Sequence, residues 1–284
     1  MSVKIVECPR DAMQGWSHPI ATATKIDYLK SLLNVGFDVL DCGSFVSAKA
    51  IPQLADSKRV IESIAPYKQA TQLLCIVANE RGAQTAATLE AVDIIGFPFS
   101  LSETFQIRNT KQTIQTSIET LQQLLLIGSK HNKTVQVYLS MCFGNPYQEP
   151  WSIEMVIEWC HRLKQIGVEK INLSDTIGVA KPQAIETVFK QVNDIDGVEF
   201  GAHFHTTPFN AIANLQAAYD NGCKKFDAAI KGYGGCPFAA DQLTGNLPTE
   251  TLLTFLQEQS IPLKINQEAF ALAMAKSQAV FVES

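Results

Sequence analysis

The feature that most constrains this chain is an alternation repeated from end to end. Short β-branched or apolar runs are each followed by a longer segment with apolar residues at helical spacing. That rhythm is the mark of repeated βα units and a parallel sheet. The spacing predicts strands at Val3–Glu7, Asp38–Asp41, Gln72–Ala78, Asp93–Phe97, Thr134–Leu139, Lys170–Leu173, Val198–Ala202 and Lys224–Ala228. Helix-period segments lie at Thr24–Leu33, Ala83–Leu89, Lys111–Ser129, Ser152–Ile166, Pro182–Val192, Asn210–Asn221 and Glu250–Gln257, with a last helix from Gln267 to about Phe281. Gly36, Gly167 and Gly222 fall just past helical stretches, where a left-handed cap is needed before the next strand. Eight units predict an α/β fold, a (β/α)8 TIM barrel with an extra C-terminal helix. A doubly wound open sheet is the alternative, but no GxGxxG follows the first strand.

With 284 residues, 46% hydrophobic and 18% charged, the chain suits a single barrel domain over residues 1–284, and no linker or low-complexity tract divides it. The net charge of -5 and the lack of a Lys/Arg cluster argue against a nucleic-acid partner. A metal and one or two basic side chains can still accept an anionic small molecule in a cleft. Apolar runs are too short to span a bilayer, and strand-like sequence begins at Val3, so the expectation is a cytoplasmic protein with no membrane partner and no leader. Seven cysteines, Cys8, Cys42, Cys75, Cys142, Cys160, Cys223 and Cys236, form an odd set without CxxC pairs. They indicate neither a disulfide framework nor a structural zinc site, and most should be small buried hydrophobes.

In such a barrel the active site forms at the C-terminal ends of the strands. Here those ends carry Pro9-Arg10-Asp11, Asp41-Cys42-Gly43-Ser44, Ser174-Asp175-Thr176 and His203-Phe204-His205, and the eighth strand leads into a glycine-rich loop. His203 and His205 are two apart on a strand, so both rings point to one face and can reach one ion. By itself the pair also reads as two hydrogen-bonded, partly buried histidines. Asp11 and Asn246 converge with them, and this mixture of imidazole, carboxylate and amide oxygen suits Mg2+ or Mn2+ better than a closed thiolate zinc site. Arg10 can face a developing oxyanion or simply bridge the barrel mouth. Asp41 and Asp175 can orient Arg10, support a ligand histidine or move protons. The run Gly232-Tyr233-Gly234-Gly235-Cys236-Pro237 reads as a closing loop whose thiol can exchange a proton with a carbon acid, or as a turn with an incidental cysteine.

Taken together these residues resemble 3-hydroxy-3-methylglutaryl-CoA lyases, within the TIM-barrel metallolyases that include isopropylmalate and homocitrate synthases. The likeness runs through Val6-Glu7, Pro9-Arg10-Asp11 and Gln14, then Ser44-Phe45-Val46-Ser47-Ala48-Lys49 with Pro52-Gln53 and Ala55-Asp56. It continues through Asp175-Thr176-Ile177-Gly178-Val179, His203-Phe204-His205, Gly234-Gly235-Cys236-Pro237 and Gly245-Asn246-Leu247. The Ser-Phe-Val-Ser segment and the Gly-Gly-Cys-Pro loop separate the lyase from the synthases. The resemblance implies that Asp11, His203, His205 and Asn246 bind the metal, with His203 also counted among the catalytic side chains. It makes Arg10 the stabiliser of the enolate, Cys236 the loop acid/base, and Asp41 and Asp175 catalytic carboxylates. Gln14, Ser44 and Thr176 match positions near the acyl group.

The implied reaction is retro-Claisen cleavage of an acyl-CoA substrate to acetyl-CoA and acetoacetate, in a homodimer or larger homo-oligomer. A related lyase or condensing enzyme for another 3-hydroxyacyl-CoA, or a silent metal-binding or acyl-CoA-binding barrel, is the alternative. Three departures from the family pattern stand out. Asp41 replaces the usual glutamate, Thr206-Thr207-Pro208 replaces Asp-Thr-aromatic after His205, and Asp241-Gln242-Leu243 lies in a Cys236–Asn246 span one residue longer than usual.

Overall fold

A computed structural model describes residues 2–235 and 244–282. Eight strands form a closed parallel barrel in sequence order: β1 (Lys4–Glu7), β2 (Val39–Ser44), β3 (Gln72–Ile76), β4 (Val92–Ser100), β5 (Thr134–Ser140), β6 (Lys170–Asp175), β7 (Glu199–Phe204) and β8 (Lys225–Ala228). Closure comes from β1, which pairs with β2 on one side and with β8 on the other, with Lys4 opposite Lys225 and Glu7 opposite Ala228. The expected barrel is therefore the observed one, with each predicted strand matched to within a few residues at its ends.

The pleat divides the side chains into two layers. Val6, Val39, Leu74, Ile76, Ile94 and Tyr138 pack together inside the barrel. The alternate positions, among them Leu40, Leu73, Ile95, Phe97, Leu139, Leu173, Phe204 and Phe226, join the larger core between strands and helices. Each fully buried phenylalanine there contributes roughly 1.5–3 kcal/mol by leaving water.

The surrounding helices are α1 (Pro9–Gln14), α2 (Thr22–Leu33), α3 (Ser57–Ile64), α4 (Glu80–Ala87), α5 (Glu103–Thr110), α6 (Ile114–Lys130), α7 (Ile153–Gln165), α8 (Pro182–Val192), α9 (Ala211–Asp220), α10 (Thr249–Glu258) and α11 (Gln267–Val280). The stretch expected over Lys111–Ser129 is α6, begun three residues later, and α5 ahead of it is a helix not among those expected. Lys111 is left-handed at φ 62° and ends α5, and Thr113 then caps α6 by accepting from the amide of Thr116. The last helix, α11, lies along α2 and brings Phe281 against Tyr233. Among the described residues no helix is long and apolar enough to cross a membrane.

Candidate metal and active site

Pro9, at the first turn of α1, starts a helix directly at the C-terminal end of β1. This short helix buries Arg10 and Asp11 at the barrel mouth instead of leaving them on a loop. Arg10 Nε donates to Asp41 Oδ1 at 3.1 Å and Oδ2 at 2.9 Å, and Nη2 donates to Oδ2 at 2.6 Å. Its Nη1 reaches Asp11 Oδ1 at 3.0 Å and Gln14 Oε1 at 2.8 Å, while Gln14 Nε2 donates to Asp11 Oδ1 at 2.9 Å. Burial works against the Arg10 charge, but Asp41 and Asp11 outweigh it and hold the guanidinium pKa above its ordinary value. Burial pushes Asp41 up to about 6 even with Arg10 beside it. For Asp11 the balance goes the other way: burial opposes the charge, yet Arg10, the two histidines and Asn246 keep it below the usual carboxylate value.

The two histidines are held in defined orientations. His205 Nδ1 lies 2.9 Å from the carbonyl oxygen of Thr176, an acceptor only, so the network assigns the proton to Nδ1. His205 Nε2 is then a bare lone pair, buried, with no hydrogen-bond partner among the described residues. Burial, reinforced by His203, lowers the His205 pKa to about 4, so the ring is neutral. His203 Nδ1 lies 3.0 Å from Asp227 Oδ2, and Asp227 Oδ1 accepts from Asn172 Nδ2 at 2.7 Å. Burial disfavours the His203 charge, but its bond to Asp227 wins and raises the pKa. One donor atom each from Asp11, His203 and His205 lies within 4.8 Å of the others.

Asn246 forms a β-bridge with His205. Its Nδ2 donates to Asp11 Oδ2 at 2.8 Å and to the carbonyl of Tyr233 at 2.9 Å, which leaves its amide oxygen for a cation. An unpaired imidazole lone pair close to a carboxylate and a second imidazole suits a divalent cation. A second trio, Cys8, His203 and Asp227, is equally compact. It is a poorer host, because its His203 Nδ1 and Asp227 Oδ2 already bond to each other.

A cleft opens onto this group. Arg10, Asp11, Gln14, Thr176, His203 and His205 line its polar end, and Val46, Ile51, Ile76, Pro98 and Phe105 are among its apolar walls. Of the other residues singled out in the sequence, Asp41 sits behind Arg10 and orients it. Asp175 and Ser44 are not among the cleft-lining residues. Asp175 has the strand parity opposite to Asn172 and Ser174, so it faces outward. Its two oxygens accept from the amides of Val179 and Ala180 at 3.0 and 2.8 Å, which fixes the loop that presents Thr176. Burial raises Asp175 to about 6 against those bonds. Ser44 follows a β-bulge between Asp41 and Gly43, and its hydroxyl accepts from the amide of Val46 at 3.3 Å. Cys236 lies outside the described residues, as do Asp241, Gln242 and Leu243.

Two residues that sequence reasoning did not single out belong here. Asp227, in the middle of β8, supports His203. Tyr138 on β5 lies edge-on to His203, with centroids 5.6 Å apart, and its buried hydroxyl has no partner among the described residues. The aspartate absent at Thr206 leaves no histidine unsupported, because Asp227 and the Thr176 carbonyl already hold both rings.

A family model described as HMGL-like matches residues 3–275. The hydroxymethylglutaryl-CoA lyase of Bacillus subtilis is 33% identical over 92% of this chain and 86% of its own length. The 3-hydroxy-3-isohexenylglutaryl-CoA/hydroxymethylglutaryl-CoA lyase of Pseudomonas aeruginosa is 31% identical over 99% of this chain and 94% of its own. An HMG-CoA lyase from Acinetobacter baumannii, solved with coenzyme A and 3-methylmalate, superposes with a TM-score of 0.90 at 28% identity, covering 99% of this chain and 91% of that one.

Proposed function

We propose, on the premise that the chain belongs to the HMGL-like family, that it is a carbon–carbon lyase cleaving 3-hydroxy-3-methylglutaryl-CoA to acetyl-CoA and acetoacetate. The observation that carries the reading is the buried, unpartnered Nε2 of His205, facing Asp11 and His203 at the polar head of an apolar cleft. Asp11, His203, His205 and Asn246 are the proposed ligands of a divalent cation, Mg2+ or Mn2+. When bound, that cation supplies Lewis-acid stabilisation of negative charge on substrate oxygens.

The remaining chemistry falls to the chain's own residues. Cleavage removes the proton of the tertiary hydroxyl, breaks the C2–C3 bond and leaves the thioester enolate to be protonated. Arg10 cannot lose its charge and is held rigid by Asp41 and Gln14, so it is prepared for the charge that grows on the thioester oxygen. Asp227 and the Thr176 carbonyl keep the Nδ1 side of each histidine occupied, which leaves the Nε2 lone pairs for the cation. The enolate takes its proton from a protein group, for which Cys236 is the proposed donor.

The test is product analysis of the purified protein with Mg2+ or Mn2+ and 3-hydroxy-3-methylglutaryl-CoA. Acetoacetate release is expected, and its absence, together with an unaltered Cys236→Ser variant, rejects the proposal. Because the Pseudomonas aeruginosa relative is named for two substrates, the isohexenyl analogue belongs in the same assay.

A further inference from the structure

Four aromatic rings meet where the last helix ends. Phe281, just past α11 and 3% exposed, stacks on Tyr233 with centroids 4.3 Å apart and planes at 28°. Trp16 stands edge-on to Phe281 at 5.3 Å and to Tyr233 at 5.9 Å, and Tyr28 of α2 meets Phe281 at 6.2 Å. This cluster touches both halves of the candidate metal site. Trp16 lies two residues beyond Gln14, whose amide holds Asp11. Tyr233 supplies the carbonyl that accepts from Asn246 Nδ2 at 2.9 Å. The next residue, Gly234, has φ +96°, and a Cβ there would meet Ala12 Cα at 2.7 Å, Asn246 Nδ2 at 2.8 Å and Asp11 O at 2.9 Å. The backbone at 233–234 is thus seated between Asp11 and Asn246, and the rings keep it there.

We propose that Phe281 is a positioning residue: by stacking on Tyr233 it fixes the carbonyl that orients the Asn246 amide, so the C-terminal helix sets the geometry of the cation site. The inference rests on the assignment of Asp11 and Asn246 as ligands made above. A carbonyl aimed at a ligand's amide removes a rotational choice, and a ring stack that immobilises the carbonyl passes that restraint one step outward.

The experiment is Mn2+ titration of the full-length protein, reading free Mn2+ by electron paramagnetic resonance, with melting curves alongside. Phe281→Ala is expected to weaken Mn2+ binding roughly 3- to 10-fold, below the 10- to 100-fold range for groups that touch a ligand directly. Phe281→Tyr, which keeps the ring, restores it. Phe270→Ala removes another ring from α11, one that packs on Phe37 and not on Tyr233. It lowers the melting temperature without weakening Mn2+. Tyr233→Leu breaks the stack from the other side and reproduces the weakening even if Phe281→Ala does not fold. Parent-like affinity in Tyr233→Leu or in a folded Phe281→Ala, or equal weakening by Phe270→Ala, overturns the proposal. Asp11→Asn keeps the two levels separate: undiminished binding there removes the ligand assignment itself, whereas lost binding there with a parent-like Phe281→Ala removes only the positioning role.

Discussion

Replacing Asp227 by asparagine changes one atom and tests the logic of the histidine pair. In the native chain Asp227 Oδ1 accepts from Asn172 at 2.7 Å and Oδ2 faces His203 Nδ1 at 3.0 Å, within a side chain that is 1% exposed. In Asp227→Asn the retained oxygen still serves Asn172, so the new NH2 group points at His203 Nδ1. Two donors cannot share that contact, and the imidazole proton moves to Nε2, where it occupies the lone pair a cation needs. Loss of such a supporting carboxylate costs about 10- to 100-fold in metal affinity, about 1.4–2.7 kcal/mol. Isothermal titration with Mn2+ measures it directly, with the melting curve as a check on folding. A folded Asp227→Asn protein that binds Mn2+ as tightly as the parent refutes the argument.

Glu7 links pH to stability. It is fully buried, accepts from Ile230 N at 2.9 Å and Thr249 Oγ1 at 2.5 Å, and burial raises its pKa from 4.5 to about 8. A carboxyl raised on folding stabilises the native state while it is protonated in that state. Its contribution is therefore complete below the unfolded value and is lost as pH rises from 4.5 to about 8, on the order of 5 kcal/mol across the window. Glu7→Gln should flatten the pH dependence of the urea midpoint over that range; an unchanged profile rejects the assignment. Gly234→Ala drives a methyl into Asp11 O and Asn246 at a left-handed φ, so both Mn2+ affinity and melting temperature should fall, the latter by the equivalent of roughly 1–3 kcal/mol. Arg10→Lys keeps the charge but not the fork on Asp41 or the bond to Asp11, and, assayed at saturating Mn2+, should lower kcat on the order of 10²-fold. A parent-like kcat in that variant contradicts the role given to the guanidinium.

The barrel was legible because strand and helix periods differ so clearly along the chain, and the two histidines were legible because a period of two puts them on one face. Other features depended on information carried elsewhere. Asp227 looks like one polar residue in a buried strand until the register sets it opposite His203 on β7, and register is a property of the sheet. Pro9 did signal a helix start at the end of β1, yet the segment reads as a strand-end loop because six residues are too few for a periodic pattern. The same parity that places His203 inward turns Asp175 outward, so its place behind the strand was available from counting, whereas its bonds to Val179 and Ala180 were not. Ser44 escaped such counting because the bulge before Gly43 resets the alternation. The late start of α6 hinges on Lys111 adopting φ 62°, a conformation lysine seldom favours and propensity does not announce.

The most direct measurement strips the purified protein with a chelator and follows 3-hydroxy-3-methylglutaryl-CoA before and after Mn2+ is restored. The account predicts no cleavage in the stripped protein, and one acetoacetate per acetyl-CoA once the cation is returned, with His205→Ala failing to recover. Equal cleavage with and without the cation, or none in either state, contradicts it.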